Sequence, residues 1–83
     1  MPDERNLDEL KRLGAEGPAT DEIARLYHRA FREFGALALW SSQPALHPTA
    51  ADALAITQSL RVEGDINARR LAERIEELCR AAL

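Results

Sequence analysis

The sequence contains few of the residues that β-sheets, disulfide scaffolds and membrane helices require. It has one Val, four Ile and three Thr among 83 residues, and no stretch alternates apolar and polar positions, so strands are not expected. Its only cysteine, Cys79, has no partner for a disulfide within the chain, which argues against an oxidising compartment. No run reaches the roughly 20 apolar residues of a membrane helix. We therefore expect neither a β-protein nor a membrane protein.

An excess of charge of one sign is also missing. The formal net charge is −3, with eight acidic and six basic residues in 1–40 and six and five in 41–83. Without a basic arm or an acidic tail, whole-chain attraction to nucleic acid or anionic lipid is not expected. The first ten residues are acidic and polar, unlike a secretory signal. These features predict a cytoplasmic protein.

What the chain does contain is helix-forming residues, with 15 Ala and 12 Leu. Ten of its 11 basic residues are Arg, and this bias together with the alanine content indicates a GC-rich bacterial genome. A chain of this length buries only about 60% of its unfolded surface. The expectation is one helical domain over residues 1–83, with self-association as a common means of widening a small stability margin.

Capping signals divide the chain into four helices, at about residues 3–13, 21–40, 50–63 and 66–82. Thr20 and Asp65 suit helix N-caps, and Thr49 with Asp52 has the spacing of a capping box. Gly14 suits a C-terminal stop. Since little more than Gly64 separates the last two helices, they should form a tight αα-hairpin. The sequence predicts an all-α bundle of three to four helices with a C-terminal hairpin.

Apolar residues recur at helical spacing in the first, second and fourth segments. The first helix has a narrow stripe of Leu7, Leu10 and Leu13. The face of the second consists of Ile23, Leu26, Tyr27, Ala30, Phe31, Phe34, Leu37 and Ala38. The seam of the fourth consists of Ala68, Leu71, Ala72, Ile75, Leu78, Cys79 and Ala82. The second helix and the hairpin should therefore form the core.

The third helix has two apolar arcs instead of one. The first arc comprises Ala53, Ile56 and Leu60. The second comprises Ala51, Leu54, Ala55 and Val62. A helix that is apolar on two sides is either sandwiched within its own fold or shared with a neighbouring protein, and the sequence leaves both alternatives open.

No motif indicates catalysis or metal binding. His28, His47 and Cys79 lack the spacing of a zinc site, and no serine has the flanking glycines of a nucleophile elbow. The glycines do not form a phosphate-binding loop. We expect no enzyme activity, no metal and no cofactor.

Nucleic-acid binding is possible but not favoured. A helix-turn-helix register aligned on Gly64 would bury Arg70 and Glu73 without partners. Two arginine clusters are candidates for anion or nucleic-acid contact. The first is Arg25, His28, Arg29 and Arg32, and the second is Arg69, Arg70 and Arg74. Because acidic residues lie between these arginines, an ordinary salt-bridged surface is the stronger interpretation.

Five apolar positions are candidates for partner binding. They are Leu39, Trp40, Leu46, Leu54 and Val62. Leu39 and Trp40 fall on the arginine side of the second helix, where an exposed tryptophan is typical of an interface. Alternatively, that helix ends early, and Trp40 and Leu46 fold back to close the core.

From these patterns we predict a non-catalytic helical interaction or regulatory module, a homodimer or the partner of another protein. The alternative is a nucleic-acid-associated regulator, such as a small repressor or an antitoxin-like protein, that uses the arginine clusters. An enzyme or cofactor binder is the least favoured class.

Overall fold

Polar side chains determine where the helices begin. The computed structural model describes residues 6–15, 17–40 and 43–82, which form α1 (Leu7–Gly14), α2 (Asp21–Ala38), α3 (Ala50–Glu63) and α4 (Ile66–Ala82). Thr20 Oγ1 accepts the N–H of Ile23 at 3.3 Å, and Asp65 Oδ1 accepts the N–H of Ala68 at 3.0 Å. Thr49 and Asp52 form the reciprocal capping box, at 3.1 and 2.9 Å. The all-α prediction with its C-terminal hairpin is confirmed, and no strand occurs in the described ranges.

The bounds of α3 and α4 match the predicted 50–63 and 66–82, but two other bounds were wrong. α1 begins at Leu7, because Asn6 has extended backbone and its Oδ1 accepts the N–H of Glu9 at 2.8 Å. Asp3, the predicted start, lies outside the described residues. α2 ends at Ala38 and not at Trp40, since Leu39 leaves helical geometry.

The fold around α3 resolves the question of its two apolar arcs. α3 packs against α1, α2 and α4. Leu54 of the second arc is fully buried, as are Ala53 and Leu60 of the first. Ala55 and Val62, also of the second arc, remain exposed. The helix is therefore sandwiched within its own fold, and only the margin of its second arc reaches solvent.

The core also contains most of the predicted faces of α2 and α4. The buried members are Ile23, Tyr27, Ala30, Phe34 and Ala38 of α2, and Ala68, Leu71, Ala72, Ile75 and Cys79 of α4. Leu10 is buried too, whereas Leu13 and Leu37 are half exposed, against the prediction. The side chain of Leu7 lies outside the described part of the structure.

After α2 ends, the connecting segment runs back along the side of α2, and two hydrogen bonds hold it there. Tyr27 Oη accepts the N–H of Ala45 at 2.8 Å, and the carbonyl of Pro48 accepts the N–H of Ala19 at 2.9 Å. α3 therefore starts beside the first residues of α2. α4 then runs antiparallel to α2, because Ala82 at its end lines a surface with Thr20, whereas Asn67 at its start lines one with Phe34. In consequence, the α3–α4 turn lies at the end of the bundle where α2 finishes.

Two glycines are present for space and not for an unusual backbone. α1 ends at Gly14, where a stop was predicted, but no glycine has a positive φ, so Gly14 ends the helix without a left-handed backbone. Gly14 is the last residue of α1 and faces the start of α3. A Cβ on Gly14 would lie 2.8 Å from the Cβ of Ala50. Gly64 likewise abuts Ala68 and the carbonyl of Leu60. Both glycines permit close approach of neighbouring elements.

We expect Gly14→Ala to lower the free energy of unfolding by about 1–3 kcal/mol, since the new methyl meets stiff backbone and a short side chain. Gly35→Ala is the matched control, because nothing lies within 4 Å of a Cβ at Gly35 within α2. There the substitution should stabilise the protein by about 0.5–1 kcal/mol. Urea unfolding of both variants measures the difference, and equal effects would show that α1 does not pack closely on α3.

Candidate binding surfaces

A groove between α2 and α4 brings residues of the two predicted arginine clusters together. Its volume is about 530 Å³, and it is lined by Leu26, Arg29, Glu33, Phe34, Asn67, Arg70, Leu71 and Arg74. The antiparallel arrangement of α2 and α4 is what juxtaposes these side chains. We call this surface the arginine groove. Spacing in the sequence shows only which arginines lie on the same face of one helix. The placement of Arg29 and Arg70 in one groove therefore required the tertiary structure.

The other members of the two clusters lie outside the lining of this groove. Arg25, His28, Arg32 and Arg69 are exposed elsewhere on α2 and α4. The ring of His28 meets that of Tyr27 edge-on, with centroids 5.3 Å apart. Of the first cluster, only Arg29 therefore belongs to the arginine groove, together with Arg70 and Arg74 of the second.

Ion pairs occupy two of the three arginines in the groove. Arg29 Nε lies 3.0 Å from Glu33 Oε1, one turn further along α2. Arg74 is shared between Glu22 at 3.5 Å and Glu77 at 3.4 Å. Within the described part of the chain, Arg70 makes no ion pair. Arg70 is thus the groove arginine that can contact a ligand without first breaking an ion pair.

The second surface is apolar and lies where α2 ends and α3 turns into α4. Leu37 is one turn beyond Glu33 on α2, and Ile66 is one turn before Arg70 on α4. Because Glu33 and Arg70 line the same groove, Leu37 and Ile66 lie at one end of it. Trp40 follows α2 by two residues, and Val62 lies in the last turn of α3. We call these four residues the apolar end. Their exposed fractions are Leu37 50%, Trp40 70%, Val62 74% and Ile66 58%.

Two of the five predicted partner-binding residues are core residues instead. Leu39 is 1% exposed and Leu54 is fully buried, so neither side chain is available at the surface. Leu39 turns inward because α2 has already ended, and a helical wheel does not apply to it. Trp40, Val62 and Leu46 are exposed, which excludes the alternative in which Trp40 and Leu46 close the core.

Leu46 does not belong to the apolar end. The backbone N–H of its neighbour Ala45 donates a hydrogen bond to Tyr27 in the first half of α2, and this places Leu46 along the side of the bundle. Sequence reasoning also missed Leu37 and Ile66. At helical spacing, Ile66 lies on the side of α4 opposite the apolar seam, so its exposure could have been predicted from the sequence. The exposure of Leu37 was not, because Leu37 lies on the apolar face of α2 and its burial depends on whether another helix covers the last turn.

The titratable groups with shifted pKa values belong to the scaffold. Arg61 makes a two-pronged contact with Glu76 across the α3–α4 hairpin, at 2.8 and 3.1 Å. The hydrogen bond to Glu76 raises the pKa of Arg61 above its already high value. Burial, reinforced by the charge of Glu76, raises the pKa of the Cys79 thiol to about 11. A thiol that keeps its proton is a poor nucleophile and a poor metal ligand.

The described residues contain no group of three or more His, Cys, Asp or Glu side chains arranged to hold a metal ion. His28 and His47 are both exposed, and Cys79 is buried. In residues 6–15, 17–40 and 43–82, no helix has the length and apolarity needed to span a bilayer.

Comparison with protein-family models, with curated proteins and with solved structures found no match. The arginine groove and the apolar end are therefore the two surfaces that can indicate a function.

We expect the folded protein to lose stability between pH 9 and pH 11 because of Cys79. Above its ordinary pKa of 9.0 the unfolded thiol ionises, whereas the folded thiol, with a pKa of about 11, stays protonated. The folded state then binds more protons, so this group lowers the free energy of unfolding by about 1.4 kcal/mol per pH unit. Urea unfolding at pH 8 and pH 10 tests this, with Cys79→Ala as the control. Equal pH dependence in both proteins would contradict it.

Proposed function

We propose that this protein is a non-catalytic interaction module that associates with a second copy of itself through the apolar end. The observation that supports the proposal is the exposure of Leu37, Trp40, Val62 and Ile66, each half exposed or more. Large apolar side chains exposed together at one end of a small protein are typical of a contact site. Trp40 is the expected centre of the contact, because tryptophan is enriched among residues that dominate binding energy.

The size of the hydrophobic effect makes these residues significant. Fully burying one large aliphatic side chain contributes about 1.5–3 kcal/mol relative to leaving it exposed. Burial of several such side chains, together with the tryptophan, contributes free energy that offsets part of the entropy lost on association. Isolated exposed leucines such as Leu13 and Leu46 need no such explanation, since single apolar residues are normal on a surface.

A second copy of the chain is the partner that this surface fits. A two-fold interface places the same patch on both subunits, so the patch must be complementary to itself. The four residues of the apolar end carry no charge, and apolar surface meets its own copy without like-charge repulsion. Dimerisation would also stabilise a chain that buries only about 60% of its unfolded surface.

We expect Trp40→Ser and Ile66→Asp to convert a dimer into a monomer. The first removes the largest side chain of the apolar end, and the second places a charge within it. Ile66→Asp should leave the fold intact, because an acidic residue is favourable in the first turn of a helix. Light scattering after size-exclusion chromatography, over a dilution series, measures the mass of each protein.

Leu46→Ser is the matched control, since Leu46 is 80% exposed but lies away from the apolar end. It should leave the dimer unchanged, and circular dichroism should show all variants folded. A wild-type protein that is monomeric at every concentration would contradict the proposal. So would a dimer that survives both substitutions at the apolar end.

A nucleic-acid-associated regulator is the second candidate, and the convergence of Arg29, Arg70 and Arg74 is the observation that favours it. If these three arginines contact phosphates, affinity for a short labelled duplex should fall with salt, with a logarithmic slope of about −3. Fluorescence anisotropy across a salt series measures this slope. Absence of binding at low salt would exclude the candidate.

A further inference from the structure

We propose that the contact between two copies at the apolar end is oriented by an ion pair, which joins Glu63 of one copy to Arg70 of the other. The proposal rests on the self-association proposed above and adds the two residues that fix how the second copy is placed. Under two-fold symmetry the pair forms twice, because each copy supplies both residues.

The charged side chains beside the apolar end divide into those with a partner in the fold and those without one. Arg61 pairs with Glu76 across the hairpin, and Asp65 Oδ1 accepts a backbone N–H in the first turn of α4. Glu63 and Arg70 are exposed, and neither makes an ion pair with any described residue. These two opposite charges are therefore available to a second molecule.

Glu63 and Arg70 lie on either side of Ile66 in the hairpin. Glu63 is the last residue of α3 and follows Val62 of the apolar end. Arg70 is one turn beyond Ile66 on α4, and it is turned toward α2 because it lines the arginine groove. Arg69 is also exposed, but it lies outside that lining. The apolar end is thus bordered by a negative charge on α3 and by a positive charge on the side of α4 that faces α2.

A pair of opposite charges on two borders of one patch is complementary to itself under two-fold symmetry. With the axis near Ile66, the border of one copy that carries Glu63 meets the border of the other that carries Arg70. An arrangement that brings like borders together places two like charges against each other, which is costly at an interface. α2 adds no competing charge, since residues 34–40 contain none. Because the hydrophobic effect is non-directional, these charges are what selects one orientation of the second copy.

Reversal of either charge should weaken the dimer. Glu63→Lys places cations on both sides of the contact, and Arg70→Glu places anions on both sides. Each change turns the two attractive pairs of one dimer into two repulsive pairs, so we expect the dimer dissociation constant to rise by about tenfold or more. Sedimentation equilibrium over a dilution series measures this constant. Both variants should fold, because lysine is favourable in the last turn of a helix and glutamate forms helix about as well as arginine.

An equimolar mixture of the two variants tests whether the charges meet across the contact. In a mixed dimer the new lysine of one copy faces the new glutamate of the other, and the remaining native Glu63 and Arg70 face each other. The mixture should therefore associate with about the affinity of the wild type, at a concentration where each variant alone is monomeric. A defect in the fold of one chain cannot be repaired in this way by another chain. A mixture that associates as weakly as the single variants would overturn the proposal.

Repulsion between net charges predicts a different result. Glu63→Lys makes the acidic chain less negative and Arg70→Glu makes it more negative, so repulsion between whole chains would strengthen one dimer and weaken the other. Arg69→Glu is the matched control, because it changes the net charge by the same amount one residue away. This control should not weaken the dimer, and a loss equal to that of Arg70→Glu would overturn the proposal.

The same measurements separate this proposal from the proposed function. A wild-type dimer that Trp40→Ser converts into a monomer, but that Glu63→Lys and Arg70→Glu leave unchanged, would overturn the ion pair and leave the apolar contact in place. A wild-type protein that is monomeric at every concentration would overturn both.

Discussion

Close packing of small residues around α3 is the constraint on which the other helices depend. Gly14 brings the end of α1 against Ala50, and Gly64 brings the α3–α4 turn against Ala68. Ala53 and Leu54, on different sides of α3, are both fully buried. Because the glycines and alanines at these contacts let backbones approach, α3 can be covered by α1, α2 and α4 at once. A larger residue at any of these contacts would separate two helices and expose part of the core.

The location of the exposed apolar surface follows from that central helix. Covering α3 buries Leu54 of its second arc, while Ala55 and Val62 of that arc stay exposed. The other members of the apolar end lie in the last turn of α2, two residues after it and at the first residue of α4. The apolar end is thus made by the ends of three helices, not by one extra hydrophobic face.

The charged side chains divide into those that brace the hairpin and those that remain at the surface. Arg61 and Glu76 join α3 to α4 with two hydrogen bonds, and Glu76 is mostly shielded from water. Among the described residues, α2 and α4 are joined by the pair of Arg74 with Glu22, which is longer at 3.5 Å and more exposed, and such pairs contribute little to stability. Loss of this pair would therefore cost the fold little.

The sequence by itself determined the helices, because caps and helical periodicity are local. Each predicted N-cap side chain accepts a hydrogen bond from the backbone N–H three residues further along. These predictions are confirmed for Thr20, Thr49 and Asp65. The end of α2 was misplaced because no glycine or proline in the sequence marks the point where Leu39 leaves helical geometry. Only the tertiary structure decided that Leu54 is core, that Leu37 is exposed and that Arg29 faces Arg70. These outcomes depend on which helix covers which face and how far it extends, and such contacts join residues too far apart in the chain for local spacing to reveal them.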